Sequence, residues 1–232
     1  MGKVKIKKSD IWIDMTPMSD VMTLLLTFFM LTSTFIKNEP VKVNTPGTVS
    51  ETKVPESSVI TITVNPVKGS DGKPTGDGQV FLGMSNADEL GKILEQMYPE
   101  LAADANLKYT FSSEAQFGVA LKDLQRYLSL SQEKRSNVLL GQDPAIKAGI
   151  PLDSIDGQMS EFQRWISASK AVNNDLDLVI KADHDTPYKT VKKVMSELQD
   201  MSQSHYYLST QLDGSKVTAA RSYIDKSTGG SK

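Results

Sequence analysis

Asp20 is the only charged residue between Met18 and Ile36, the most apolar stretch of the chain. A charged Asp near a hydrocarbon core costs roughly 2.5–3.5 kcal/mol on insertion scales, so it needs a partner, a proton or water. At 100° per residue, Thr23, Thr27 and Thr34 fall within about 60° of Asp20 on a helix. Leu25, Leu26, Phe28, Phe29 and Met30 occupy the other faces. Small hydroxyl residues beside an acid make a surface for other helices or for a water path, not for lipid. The plain alternative is helix packing, with each Thr bonded back to its own backbone. The acid favours the functional reading. A carboxyl away from bulk water can load and release a proton across physiological pH. Moving one elementary charge through 100 mV is worth about 2.3 kcal/mol, enough to tilt or rotate a helix. One helix cannot form a proton path alone, so the chemistry requires a multi-span partner.

No other constellation suggests catalysis. The two histidines are His184 and His205. His184 lies between two acids in ADHD (182–185), but adjacent residues on a turn rarely converge on one ion, so this reads as a solvated strand-to-helix loop. The Gly-rich stretch PVKGSDGKPTGDG lacks the Gly-Lys-Ser/Thr ending of a phosphate cradle, and no Gly-x-Ser-x-Gly elbow occurs. No cofactor, metal ion or enzymatic activity is expected. With 26 basic and 28 acidic residues, the net charge of −2 gives no sign of a nucleic-acid partner. The absence of cysteine excludes disulfides and thiolate metal sites.

The element that carries Asp20 is predicted as a transmembrane helix over residues 15–36. The 19 residues Met18–Ile36 would span roughly 28 Å, close to a hydrocarbon core of about 30 Å. Thr16-Pro17 is a good helix start, and an acid in the leading turn would also complement the helix dipole. A cleaved signal peptide and a buried core helix are the competing readings. No small-residue cleavage site follows the run, and the rest of the chain is too polar to wrap it. Lys3, Lys5, Lys7 and Lys8 put residues 1–14 in the cytoplasm by the positive-inside rule. Everything after Ile36 then lies outside it.

Residues 37–58, rich in Pro, Thr, Ser, Lys and Glu, read as an extended linker. A folded domain is expected over 59–225. VITITVN (59–65) and QVFLG (79–83) form a hairpin with a long loop. Residues 159–172 make an amphipathic helix, and DLDLVIKAD (175–183) makes a strand. Thr186-Pro187 caps a second helix with a Val191, Val194, Met195, Leu198, Met201 stripe, and HYYLSTQL (205–212) is the closing strand. The plan is α+β: β-β-α-β-α-β, helices on one face of a small sheet. Residues 84–158 form a largely helical insertion packed on it, with stripes at Leu90, Ile93, Leu94, Met97 and at Phe117, Leu121, Leu124, Leu128. Residues 226–232 read as a disordered tail.

DMTPMSDVMTLLLTFFMLTSTF, VKVNTP and IKADHDTPYKTVKKVMSELQ together resemble the ExbD/TolR family of biopolymer-transport proteins. The resemblance covers the start, the linker and the outer unit, but not 84–158. It implies an inner-membrane, single-pass protein with a periplasmic domain. It makes Asp20 the membrane aspartate of the proton path. It makes Val43, Asn44 and Pro46 the segment that engages a periplasm-spanning partner, with Thr45 where Leu is usual. His184 stands where Lys or Arg is common. The implied assembly is a dimer of this chain inside a pentamer of ExbB/TolQ-like multi-span subunits, in contact with membrane lipid. It would convert proton-motive force into movement of a TonB- or TolA-like protein. An ExbD-like role in TonB-energised outer-membrane transport leads. A TolR-like role in envelope maintenance, a motility or secretion motor, and a passive membrane-tethered binding module remain the alternatives.

Overall fold

The computed structural model describes residues 15–32, 39–48, 58–68, 74–84, 86–154 and 157–212. Thr34, the four N-terminal lysines and the 226–232 tail lie outside them. The chain forms two compact units, Met1–Ile36 and Lys37–Lys232. In the first, α1 (Thr16–Thr32) is the described element.

The second unit is built around β2 (Val59–Lys68), whose alternating residues bury Ile60, Ile62 and Val64 on one face. It pairs antiparallel with β3 (Pro74–Met84) from Ile60↔Met84 to Lys68↔Pro74, with a register irregularity at Pro66–Lys68. The strands therefore run deep into the stretch read as a long loop. On its other side β2 pairs parallel with β5 (Asp177–Ala182) over Val59–Val64 only. Pro66 lies beyond that pairing, where a missing N–H is tolerated. The short strand β4 (Gln116–Phe117) joins β3, and β6 (Tyr207–Ser209) joins β5 in parallel. The sheet order is β4-β3-β2-β5-β6. A second, two-stranded parallel sheet joins β1 (Gly47–Thr48) to β7 (Gln211–Leu212). The closing strand read from HYYLSTQL is thus split between two sheets.

The helices α2 (Ala87–Met97), α3 (Pro99–Ala102), α4 (Ala105–Ser113), α5 (Leu121–Leu128), α6 (Gln132–Leu139), α7 (Glu161–Val172) and α8 (Tyr188–Asp200) complete the unit. Ser160 and Gln163 form a reciprocal capping box that starts α7. Thr186 does not cap α8: its hydroxyl donates to the Val64 carbonyl at 3.1 Å. Phe117 belongs to β4, not to a helical stripe, and stacks among Phe111 and Trp165 at centroid distances of 4.8 and 4.9 Å. Its apolar spacing to Leu121 coincides with a helical period across a strand–helix junction.

The expectation of a mixed α+β unit holds. Gly78 of β3 abuts Thr190 of α8, which puts α8 on the Val80–Leu82 face. The 84–158 segment is more than an addition packed outside. Its Leu90, Ile93, Leu94, Phe111 and Tyr127 share one core cluster with Ile62, Ile180 and Trp165, and it supplies β4.

Candidate functional site

Asp20 is the fifth residue of α1, and the first turn of that helix carries no acid. It therefore sits in the second turn, where the dipole effect has largely faded, so the capping role expected for it is weakened. Every residue of α1 is exposed, and the large apolar side chains from Met18 to Leu31 are 51–87% exposed. A helix that is apolar over most of its circumference and has no buried residue among those described calls for lipid or other helices as cover. Its 17 residues make about 25 Å. No described helix is long and apolar enough to cross a membrane.

The hydroxyl stripe is present at Thr23 and Thr27. Thr23 donates to the Ser19 carbonyl at 2.8 Å, and Thr27 donates to those of Thr23 and Leu24 at 3.0 Å. Both protons are thus bound to the helix backbone, while the oxygens keep acceptor capacity toward a neighbour.

The second group of expected residues lies on the arm formed by residues 39–48. Although that stretch reads as linker, it is held along the folded unit at successive points. The Val41 amide donates to Gln116 Oε1 at 3.2 Å, and the Val41 side chain is only 2% exposed. The Asn44 amide donates to Asp183 Oδ2 at 2.8 Å, and the Asn44 carbonyl accepts from the His184 amide at 2.8 Å. The Pro46 carbonyl accepts from the Gln211 amide at 3.1 Å, leading into the β1–β7 pairing. Val43 packs half-buried against the core. Asn44 and Pro46 are exposed, so the backbone is gripped while these side chains face outward. Val43, Asn44 and Pro46 are therefore brought together on one extended, surface-mounted segment.

Sequence reasoning missed the residues that hold the arm. Gln116 carries no motif of its own, and Asp183 was read only as part of the solvated ADHD loop. The available signal was the V-K-V-N alternation at 41–44, a strand-like period inside a polar stretch. His184 contributes its backbone amide, while its ring lies 3.4 Å from Asp185 in an exposed turn. Among the described residues no three His, Cys, Asp or Glu side chains gather where they could hold a metal ion.

The described residues thus combine an apolar, exposed helix carrying one carboxylate with an α+β unit along which residues 39–48 are held. The sequence model of the biopolymer transport protein family ExbD/TolR matches residues 7–213, and the chain belongs to that family. No curated protein and no solved structure is significantly similar to it.

Proposed function

We propose that this chain is a proton-driven subunit of an inner-membrane complex of the ExbB–ExbD type. Residues 15–36 cross the membrane, residues 1–14 lie in the cytoplasm, and the unit from residue 59 onward lies in the periplasm. Asp20 takes up and releases the proton, with Thr23, Thr27 and Thr34 lining the path or packing on the partner. The chain works as a non-enzymatic dimer within a pentamer of ExbB/TolQ-like subunits. It moves a TonB-like protein that energises outer-membrane transport, and Val43, Asn44 and Pro46 meet that partner.

The observation that carries the reading is Asp20 on a helix with no cover of its own. A lone carboxylate on such a surface is tolerable where neighbouring helices bring water, a proton or a hydrogen-bond partner. Family membership supplies the context of biopolymer transport. The backbone-bonded hydroxyls of Thr23 and Thr27 favour a packing role for those two residues, which leaves Asp20 as the charge carrier. A TolR-like output, envelope maintenance, uses the same residues and differs in the protein that is moved.

The test is Asp20→Asn, with Asp20→Glu as control, in cells lacking the native copy. At equal protein level and assembly, Asn is expected to lower energy-dependent outer-membrane uptake at least tenfold, and Glu to retain part of it. A matched assay of detergent sensitivity reads the envelope-maintenance output. Wild-type rates of both with Asn in place would remove the motor reading and leave a passive tether.

A further inference from the structure

The sheet has two faces, and strand alternation assigns its residues to them. Ile60, Ile62, Val64, Val80 and Leu82 meet the helices. Thr63, Phe81 and Val179 point the other way, where the β-β-α-β-α-β plan provides no layer. Yet all three are at most 2% exposed. Part of the cover comes from the 84–158 segment. Gly118 lies against the Phe81 ring and Gly149 against Gln79, both so close that an added Cβ would collide or crowd. The Gly149 amide donates to Gly118, and the Ile150 amide donates to Val80, which ties this segment to the edge of β3.

The rest of the cover involves the arm, and one side chain joins the two. Gln116 lies opposite Gly83 of β3, the position without a side chain. Its amide reaches over that gap and is 2% exposed. Gln116 Nε2 donates to Thr63 Oγ1 at 3.2 Å, and Gln116 Oε1 accepts the Val41 amide at 3.2 Å. Thr63 is 0% exposed. One buried carboxamide thus uses both ends, one on the central strand and one on the arm.

We infer that the 84–158 segment is a clamp for the arm, and that Gln116 is the positioning residue that sets how readily the arm leaves the sheet. Release of the arm leaves Gln116 bonded to Thr63 and, at this contact, turns only Oε1 and the Val41 amide over to water, while the groups that bond Asn44 and Pro46 already lie at the exposed end of the arm. Opening therefore strands no buried polar group, which is the condition for a reversible clamp. Any extended partner that engages Val43, Asn44 and Pro46 by their backbone must first compete with the clamp. The inference adds to the reading of the arm given above and does not depend on the role of Asp20.

The test is amide hydrogen exchange on the full chain in lipid nanodiscs, comparing wild type, Gln116→Leu and Thr63→Val. Exchange across residues 41–45 is read against β5 as an internal reference. Gln116→Leu removes both bonds, and Val41–Asn44 exchange is expected to rise roughly tenfold while Leu178–Ile180 stay protected. Thr63→Val keeps the strand-favouring shape, and among the described residues the Thr63 hydroxyl bonds the Gln116 carboxamide and not the arm, so the variant acts through Gln116 and is expected to raise arm exchange several-fold. If Gln116→Leu loses protection in β5 as well, the Thr63→Val result decides. Unchanged arm exchange in Thr63→Val, or in a Gln116→Leu protein with β5 protected, overturns the clamp. No energised process enters the readout, so a failure here and a failure of the motor reading are separate results.

Discussion

Asp20 and Tyr127 show how position decides what a polar side chain can do. Asp20 lies on a helix with no buried residue among those described, so what surrounds it is set by whatever packs there. Tyr127 is the reverse case: its ring is fully buried, and its hydroxyl has no hydrogen-bond partner among the described residues. Burial first, then the Glu114 carboxylate, pushes the phenol pKa well above its ordinary 10.0, with Arg135 opposing. The folded state holds the neutral form, so this contribution to stability is complete below pH about 10. It is lost as pH rises beyond that, because only the unfolded chain ionises there. Melting curves of the full chain in detergent should therefore decline above pH about 10, and Tyr127→Phe should flatten part of that decline. Near pH 7 the same variant should change stability by less than about 1 kcal/mol, since it removes a hydroxyl that lacks a partner. A loss of several kcal/mol at pH 7 would mean the hydroxyl is bonded after all.

At the scale of elements, legibility followed periodicity. The amphipathic stripes of α7 and α8 and the Leu178–Ile180 run of β5 were plain in the sequence, because each follows a 3.6- or 2-residue period over most of its length. The two-residue strands β1, β4 and β7 were not legible, since their positions are decided by distant partners such as Gly83 and Gln211. Phe117 was drawn into a false helical stripe for the same reason. Of the candidate site, Asp20 and the Val43–Pro46 segment could be named from residue type and resemblance. That the segment is docked could not, because Gln116 and Asp183 lie 75 and 139 residues away from the amides they accept. The close fit of β4 to the sheet makes a further prediction. A Cβ at Gly118 would lie 2.3 Å from the Phe81 ring, so Gly118→Ala should destabilise the folded unit by about 1–3 kcal/mol. Chemical denaturation of the full chain in detergent checks this, and an unchanged midpoint would show that Phe81 moves aside freely.

For the whole molecule, the core decides which parts stand alone. Residues from both sides of the 84–158 segment and from within it share a single cluster, so the segment is a structural part of the unit. Deleting residues 86–152 should leave a chain without cooperative unfolding, whereas residues 37–232 alone should melt within a few degrees of the same unit in the full chain. Circular dichroism of the two truncated forms separates these outcomes. Under the proposed function, α1 is the part whose surroundings partner subunits supply, and Asp20 is the group that would couple proton movement to mechanical work. The most direct measurement is proton flux in liposomes carrying this chain assembled with its native membrane partners, under an imposed membrane potential, for wild type and Asp20→Asn. A flux in the wild type that Asp20→Asn abolishes, with the assembly intact, is the predicted result. Equal flux in the two would contradict it.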